Sequence, residues 1–238
     1  MILSLRLEAI LEQLKLYGPC QTLADIGCDH AFTGIEAVKR GYARRAIASD
    51  VRTGPLERAK RHIQETGHEE LFEVRLSDGL SAFREGEADA ILISGMGGDL
   101  ITRILEQDAA VARAADILIL QPQKDYQILR NHLRNGYEII DEDMVCEDGK
   151  YYWIMTVRPD MAKSPKIPDD AVKNALEDTF GHILLEKMHP VFKAYLDQLL
   201  VKEELVLDNI RSNSKDRKRE AEIEEYISLI NEARSRWQ

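Results

Sequence analysis

Short apolar runs and helical repeats succeed one another along the first two thirds of the chain. The opening repeat (Leu5, Leu7, Ile10, Leu11, Leu14) has helical spacing and ends at Gly18-Pro19. Apolar runs predict strands near 22–26, 46–50, 72–77, 89–94 and 116–121. Helices are predicted between them near 32–41, 54–66, 98–107 and 125–135. Alternation at this spacing predicts a parallel, doubly wound sheet with right-handed crossovers.

Two β-rich runs follow the last of these helices and depart from a plain dinucleotide-binding pattern. They begin at Tyr137 and Tyr151 and flank an acidic, glycine-containing turn at 146–150, which predicts an antiparallel hairpin. Five parallel strands closed by a hairpin form the seven-stranded, Rossmann-like sheet that is typical of class I methyltransferases. We therefore predict a methyltransferase domain over residues 1–160.

The hydrophobic pattern changes after this region. Three prolines between Arg158 and Pro168 predict a linker. Beyond it, apolar residues recur at three- and four-residue steps, with a break at 212–216 and a new start at Ile223. This pattern predicts a helical domain over 168–238, built from two long antiparallel helices that form a coiled-coil-like hairpin.

Composition narrows the possible functions. The chain has 238 residues, is 44% hydrophobic and carries a formal net charge of -10, so bulk attraction to nucleic acid or to anionic membranes is not expected. No apolar run approaches the roughly 18 residues of a membrane span, and the first residues do not resemble a signal peptide. The three cysteines are odd in number and lack metal-ligand spacing. We expect reduced thiols in a cytoplasmic protein without a metal site.

The turn after the first predicted strand has the sequence Asp25-Ile-Gly27-Cys-Asp29. Gly27 permits close approach of a ligand to the backbone. Cradles that bind pyrophosphate have further glycines where this chain has Asp29 and Ala31, and Asp29 would repel a phosphate. S-adenosylmethionine carries a positive sulfonium and an ammonium, so the acidic turn favours that cofactor over NAD. Asp29 is also suited to cap the following helix.

Two further carboxylates follow the second and third predicted strands. Asp50 is suited to accept both ribose hydroxyls of an adenosine-containing cofactor, although a strand-end carboxylate can also be simply solvated. Asp78 is suited to accept from the exocyclic amine of adenine, with Gly79 leaving room for the ring; a plain Asp-Gly turn is the alternative. His30 is a weaker candidate, because a lone histidine after a turn is more often structural.

The ends of the fourth and fifth strands also carry candidate chemistry. Three glycines in four residues (Gly95, Gly97, Gly98) indicate close backbone approach to a flat group, or else a loose helix start. The Asn/Asp-Pro-Pro-aromatic motif of enzymes that methylate exocyclic amines is absent here. Gln121 can both donate to and accept from a base edge, whereas its neighbour Pro122 also suits a plain helix start.

Basic side chains concentrate in two segments of this acidic chain. The segment from Lys39 to Arg61 contains eight basic residues and only two acidic ones, Asp50 and Glu57, so its formal net charge is +6. The eight are Lys39, Arg40, Arg44, Arg45, Arg52, Arg58, Lys60 and Arg61. The second cluster is Arg211, Lys215, Arg217, Lys218 and Arg219. Solvated helix faces would explain both, but two separated patches also fit the phosphates of a folded RNA.

Taken together, these motifs resemble those of the bacterial TrmK family. The resemblance rests on Asp25–Ala31, Asp78-Gly79, Gly95–Gly98 and Leu120–Pro122, and on the helical tail. It implies methylation of ring nitrogen N1 of the adenine at tRNA position 22, with conversion of S-adenosylmethionine to S-adenosylhomocysteine. By resemblance, the tail helps to hold the tRNA. The cofactor would contact Asp25, Gly27, Asp29, Asp50 and Asp78, with Gly95 and Met96 near the methyl group.

The adenine N1 atom has an in-plane lone pair and no proton, so it can attack a methyl sulfonium without a catalytic base. We predict a catalytic group of Asp29, Gly95, Met96 and Gly97, in which Asp29 stabilises the new ring cation and the glycines form a slot for the base. The predicted cofactor residues are Asp25, Gly27, Asp29, His30, Asp50, Asp78, Gly79 and Gly95. The predicted substrate residues are Arg40, Arg44, Arg45, Arg58, Arg61, Gln121 and Pro122.

Three other functions remain open from the sequence. They are a methyltransferase acting on another RNA, a small molecule or a protein; an NAD-dependent oxidoreductase; and an RNA-binding protein that keeps a cofactor pocket without catalysis. The apolar positions of the tail can pack within one chain or between two, so a monomer and a homodimer are both compatible with the sequence.

Overall fold

The computed structural model describes residues 3–160, 171–213 and 216–237. The chain divides into two compact units, Met1–Lys166 and Ile167–Gln238. Among the described helices, none is both long enough and apolar enough to cross a membrane. Cys20, Cys28 and Cys146 are free thiols.

The first unit alternates strands and helices as the sequence predicts. Its helices are α1 (Leu5–Tyr17), α2 (Phe32–Lys39), α3 (Thr53–Gln64), α4 (Gly98–Gln107), α5 (Ala109–Arg113) and α6 (Tyr126–Leu133). Its strands are β1 (Cys20–Ile26), β2 (Ala43–Asp50), β3 (Phe72–Leu76), β4 (Ala90–Met96), β5 (Ile117–Pro122), β6 (Tyr137–Glu147) and β7 (Lys150–Pro159). The five-residue α5 is the one helix here that the sequence pattern missed, because it is too short to show a helical repeat.

All seven strands form one sheet in the order β3-β2-β1-β4-β5-β7-β6. The first five strands pair in parallel, whereas β7 runs antiparallel to β5 and β6 antiparallel to β7. The predicted parallel sheet and its closing hairpin are therefore confirmed. The carboxyl ends of β1 to β5 meet at one edge of the sheet, as they must in a parallel arrangement, and ligands bind at that edge in open α/β sheets.

The core lies on both faces of this sheet. Strand β5 is buried along its whole length, and β1 is buried at all but one position. On one face Ile101 and Leu105 of α4 pack with Leu129 of α6, and on the other Ile10 and Leu14 of α1 pack on the central strands. Coverage of both faces explains why these strands appear in the sequence as continuous apolar runs.

The second unit is helical where the structure describes it. It contains α7 (Ala171–Phe180), α8 (His182–Glu186), α9 (Pro190–Asn213) and α10 (Arg217–Arg234). Helices α9 and α10 are antiparallel, because Arg211 near the end of α9 pairs with Glu220 at 3.1 Å, and Asp197 near its start pairs with Arg234 at 2.8 Å. The sequence predicts two long helices, and the structure adds the shorter α7 and α8 before them. Helix α9 extends through Asn213, so it includes the first two positions of the predicted break, and residues 214 and 215 lie outside the described residues. Coiled-coil packing stays a prediction.

The predicted linker needs a correction at its start. Arg158 and Pro159 belong to β7, where they pair with Glu138 and Tyr137 of β6. The strand extends to Pro159 because a proline at the end of a strand removes no internal ladder bond. Most of the remaining linker, residues 161–168, lies outside the described residues. The domain bounds 1–160 and 168–238 therefore stay a prediction beside the two observed units.

Candidate active site

Carboxylates from three strand ends line one cavity at the carboxyl edge of the sheet. This cavity, called here the acidic cavity, has a volume of about 360 Å³ and is lined by Asp29, Asp50 and Asp78. Gly27, Gly79, Gly95 and Met96 also line it, as the sequence predicts for a cofactor site. Its apolar lining comes from Ile26, Val51, Leu100, Met96 and Ile104.

Backbone hydrogen bonds orient the strand-end acids. Asp50 is buried, and its Oδ1 accepts from the backbone N–H of Arg52 at 2.9 Å. The N–H of Ser77 donates to the Asp50 carbonyl at 3.0 Å, which ties together the ends of β2 and β3. The Ser77 hydroxyl donates to the Gly79 carbonyl at 2.8 Å and so shapes the turn that carries Asp78. Asp50 and Asp78 are therefore held at the cavity wall by the turns themselves.

Two glycines leave space that a side chain would fill. Gly27 has φ +72°, and a Cβ built there would lie 2.3 Å from the Met96 Cε. Gly79 has φ +57°, and its Cβ would lie 3.0 Å from two carbons of Ile104. Both positions therefore require glycine for the backbone conformation as well as for space.

Asp29 is held by an ion pair with Arg58. Its backbone is left-handed (φ 45°), and the hydrogen bond from Arg58 lowers the pKa of its carboxyl. The helix-cap interpretation is wrong: the residue before α2 is Ala31, and no side chain caps that helix. The Asp29 carboxyl therefore stays ionised at the cavity, and Arg58 is its ion-pair partner.

A second cavity, of about 290 Å³, adjoins the acidic cavity. The two share Gly27, Asp29, Ser94 and Gly95, which form the ridge between them. The second cavity is further lined by Arg6, Leu7, Asp25, Cys28, His30, Phe32, Thr33 and Gln123. The sequence-predicted Asp25 and His30 thus lie beside the acidic cavity and not in it.

Asp25 is the most deeply buried acid of the site. Burial raises the pKa of its carboxyl to about 7, although a hydrogen bond from the Gly34 backbone acts in the opposite direction. Burial, together with the negative charges of Asp25 and Asp50, also raises the pKa of the Cys28 thiol. Asp25 can therefore change its charge near neutral pH, while Cys28 stays a neutral thiol.

His30 belongs to a stack of three rings. Its ring lies 5.1 Å from that of Phe32, which in turn lies 4.6 Å from the ring of His62. The His30 Nε2 is 3.5 Å from Asp29 Oδ2, whereas its buried Nδ1 has no hydrogen-bond partner. The stack gives the second cavity an aromatic wall.

The Gln121 side chain holds the Gly95 loop in place through hydrogen bonds. The Oε1 of this fully buried side chain accepts from the Gly95 N–H at 3.1 Å and from Arg6 Nη1 at 3.2 Å. Its Nε2 donates to the Pro122 carbonyl at 3.0 Å. Both residues are buried and the Gln121 amide has a partner at each end, so the base contacts predicted for Gln121 and Pro122 gain no support from this geometry and stay a prediction. The exposed Gln123 lines the second cavity instead.

Gly97 and Gly98 face the 124–125 turn rather than a cavity. A Cβ at Gly97 would meet Lys124 Cε at 3.1 Å, and a Cβ at Gly98 would lie 2.3 Å from the Asp125 carbonyl oxygen. The Gly98 N–H donates to the Lys124 carbonyl at 2.8 Å. The catalytic role predicted for Gly97 stays a prediction, whereas Gly95 and Met96 line the acidic cavity.

The first basic cluster does not form one continuous surface. Arg44 and Arg45 lie at the amino end of β2, about 20 Å along the strand from Asp50. Arg40 pairs with Glu8 at 2.6 Å, and Arg45 approaches Glu73 at 3.7 Å. Acids that are distant in sequence thus offset several of these charges. The substrate contacts predicted for Arg40, Arg44, Arg45, Arg58 and Arg61 stay a prediction.

The second basic cluster is also paired where it is described. Arg211 contacts Glu220, Arg217 contacts the same glutamate at 2.6 Å, and Arg219 contacts Glu222 at 3.2 Å. Lys215 lies outside the described residues. These are exposed pairs on helix surfaces, so they are weak and can exchange partners.

The sequence reasoning missed several cavity residues, among them Arg6, Phe32, Val51, Leu100 and Gln123. Val51 had a local signal, since an apolar residue that directly follows a strand-end acid is left at the ligand edge. Arg6 had none, because its place depends on how α1 docks against β5 and β7.

Comparison with known proteins identifies the family. The family model described as TrmK, tRNA (adenine(22)-N(1))-methyltransferase, matches residues 23–232. The chain belongs to the TrmK family. This confirms the family predicted from the motifs and contradicts the alternative of an NAD-dependent oxidoreductase.

Relatives of this TrmK-family chain agree. It is 40% identical over 154 residues to the tRNA (adenine(22)-N(1))-methyltransferase of Bacillus subtilis (strain 168), an alignment that covers 64% of this chain and 63% of that protein. The crystal structure of B. subtilis TrmK has a TM-score of 0.82 at 31% identity and covers 98% of this chain and 99% of that one. Sp1610 of Streptococcus pneumoniae, in complex with S-adenosyl-L-methionine, has a TM-score of 0.84 at 31% identity, with 98% and 100% covered. These structures confirm the class I methyltransferase fold.

Proposed function

We propose that this chain transfers the methyl group of S-adenosylmethionine to N1 of the adenine at position 22 of a tRNA. The observation that carries the proposal is the acidic cavity, whose three strand-end carboxylates lie beside the Gly95–Met96 loop in a chain of the TrmK family. The proposed location is the cytoplasm, because the proposed substrate is a tRNA.

The acidic cavity matches the nucleoside part of the cofactor. Asp50 accepts from the ribose hydroxyls, and Asp78 accepts from the exocyclic amine of the adenine. Val51 and Leu100 are exposed apolar side chains at the cavity, with 59% and 39% of their surface accessible, and they cover the faces of the adenine ring. Burial of these side chains by the ring adds a favourable hydrophobic contribution.

The sulfonium lies at the ridge between the two cavities. Gly27 and Gly95 let it approach the backbone, and Asp29 places a negative charge nearby. The methionine end of the cofactor extends past the ridge into the second cavity, where the carboxyl of Asp25 complements its ammonium. The target base approaches the methyl group at the Gly95–Met96 loop.

Methyl transfer then needs alignment rather than a base. The N1 lone pair attacks the methyl carbon, the carbon–sulfur bond breaks with its electrons on sulfur, and positive charge moves from sulfur to the adenine ring. Holding nitrogen, carbon and sulfur in line contributes on the order of 7–11 kcal/mol. The Asp29 carboxylate, kept ionised by Arg58, stabilises the new ring cation. The base must first leave its stack, which costs roughly a few kcal/mol.

The proposal is tested by methyl transfer from labelled S-adenosylmethionine to unmodified tRNA, followed by digestion and identification of the nucleosides. We expect 1-methyladenosine, and no incorporation into a matched tRNA with another base at position 22. Tight cofactor binding with no incorporation into tRNA would overturn the proposed substrate. It would favour a methyltransferase that acts on another RNA, a small molecule or a protein.

A further inference from the structure

Gln123 is the first residue after β5, and it lies beside the Gly95–Met96 loop. Its backbone N–H donates to the Met96 carbonyl at 2.8 Å, so the ends of β4 and β5 are bonded directly. Its side-chain Nε2 lies 3.7 Å from the point that a Cβ on Gly95 would occupy. The carboxamide therefore faces the loop at which the target base approaches the methyl group in the proposed reaction.

The backbone of Gln123 is also held on its other side. Its carbonyl accepts from the Tyr126 hydroxyl at 3.0 Å. The Tyr126 ring packs on the buried ring of Trp153, with the ring centres 4.1 Å apart. Hydrogen bonds to both backbone groups fix the starting point of the side chain before a substrate binds, so less conformational freedom remains to be lost on binding.

The carboxamide of Gln123 is available to a ligand. The residue is exposed and lines the second cavity. Within the described part of the chain, neither its side-chain oxygen nor its side-chain nitrogen has a hydrogen-bond partner. Gln121, two residues earlier, is fully buried, and its amide accepts from the Gly95 N–H and donates to the Pro122 carbonyl. Of these two glutamines, Gln123 is the one whose amide is free to contact a substrate.

Attack by N1 restricts which edge of the adenine a protein group can contact. A donor placed on N1 would occupy the lone pair that must attack the methyl carbon. The edge that carries N7 and the exocyclic N6 amine offers one acceptor and one donor, and a single carboxamide can bond to both while N1 stays free. Guanine presents two acceptors, N7 and O6, on the same edge, so a carboxamide placed for adenine would oppose one oxygen to another.

We propose that the Gln123 carboxamide binds the N7–N6 edge of the target adenine. Its Nε2 donates to N7, and its Oε1 accepts from the N6 amine. The inference rests on the proposed function and deepens it, because it names a residue that selects adenine over guanine and turns N1 toward the methyl group.

Replacement of N7 by carbon tests this contact at a single atom. The probe is unmodified tRNA with 7-deazaadenosine at position 22, compared with the same tRNA carrying adenosine there. For the unaltered chain, we expect the 7-deaza change to lower kcat/KM for methyl transfer by about tenfold, in the range of one bidentate base contact. Gln123→Ala should lower kcat/KM on the adenosine tRNA by about tenfold or more. In that variant the 7-deaza change should cause little further loss, because the two changes remove the same interaction.

Gln123→Glu gives a second signature. It keeps an acceptor for the N6 amine but opposes a carboxylate oxygen to N7. This variant should therefore use the 7-deazaadenosine tRNA at least as well as the adenosine tRNA, which reverses the order expected for the unaltered chain. Affinity for S-adenosylhomocysteine, measured by calorimetric titration, should change by less than about twofold in both variants, because Gln123 contacts the base and not the cofactor.

Gln21→Ala is the matched control, because Gln21 is an exposed glutamine at the amino end of β1, at the opposite edge of the sheet. It should leave all of these quantities unchanged. An undiminished 7-deaza effect in Gln123→Ala would show that Gln123 does not contact N7, and a parallel loss of S-adenosylhomocysteine affinity would place it in the cofactor site. Either result overturns the proposal. No methylation of the adenosine tRNA by the unaltered chain would instead overturn the proposed function, and this inference with it, before the variants are compared.

Discussion

Individual residues of the site owe their chemistry to burial and to single partners. Asp25 and Asp29 are four positions apart, yet burial raises the pKa of Asp25 to about 7 while Arg58 lowers the pKa of Asp29. The two carboxylates therefore have different charges near neutral pH. In the proposed site, Asp29 provides a constant negative charge beside the sulfonium, and Asp25 provides one that depends on pH.

Cofactor affinity should depend on pH through Asp25. The raised pKa means that the carboxyl is mostly protonated below pH 7, whereas the cofactor ammonium favours its ionised form. Affinity for S-adenosylhomocysteine should therefore rise between pH 6 and pH 8, with a slope of up to about tenfold per pH unit below the pKa. Calorimetric titrations across this range measure it.

The control is Asp25→Asn, which keeps the shape and removes the titration. It should bind more weakly and with little dependence on pH. The free protein gives a second check, since the raised pKa means that the native state binds the proton more tightly between pH 3.8 and about 7. The stability contributed by Asp25 should therefore fall as pH rises through this window. An identical pH profile in the asparagine variant would contradict the assignment.

At the scale of elements, two neighbouring glycines at the start of α4, Gly97 and Gly98, pack against different kinds of atoms. Gly98 packs directly on the backbone of the 124–125 turn, whereas Gly97 meets mainly the flexible end of Lys124. Backbone cannot move aside as a lysine side chain can. The junction between α4 and the loop after β5 therefore depends on one glycine more than on its neighbour.

Gly98→Ala should destabilise the protein much more than Gly97→Ala. A Cβ at Gly98 would lie 2.3 Å from the Asp125 carbonyl oxygen, so α4 or the turn must shift. We expect a loss of about 1–3 kcal/mol in the free energy of unfolding, as overpacking typically costs. Gly97→Ala should lose less than about 1 kcal/mol. Urea unfolding of both variants measures the difference, and equal losses would show that the backbone contact does not limit the junction.

At the scale of the whole molecule, the net charge of -10 opposes the approach of the proposed polyanionic substrate. The proposed tRNA contact therefore depends on local patches rather than on bulk attraction. In the second unit, Arg217, Lys218 and Arg219 lie at the exposed start of α10 and pair with neighbouring glutamates. Exposed pairs contribute roughly 0–1 kcal/mol each, so phosphates can replace the glutamates at little cost.

Replacing these three residues together with glutamine should weaken tRNA binding and leave S-adenosylhomocysteine affinity unchanged. The dependence of tRNA affinity on salt should also become shallower, by roughly 0.7–0.9 in logarithmic slope for each phosphate that the protein no longer neutralises. Filter binding at several salt concentrations measures both. The matched control is Lys15→Gln, an exposed lysine of α1 that pairs with Glu12 and belongs to neither basic cluster. Unchanged tRNA binding in the triple variant would mean that these three side chains do not contact the tRNA.

The sequence by itself determined the order of elements and the position of the strand-end acids. It did so because hydrophobic periodicity is local, and because the parallel topology brings every strand end to one edge. Asp50, Asp78 and the Gly95–Met96 loop were predicted for this reason. Only the tertiary structure decided the burial of Gln121, the ion pairs of Arg40 and Arg58, and the place of Arg6. Each depends on partners from other elements, and local sequence spacing carries no information about such partners.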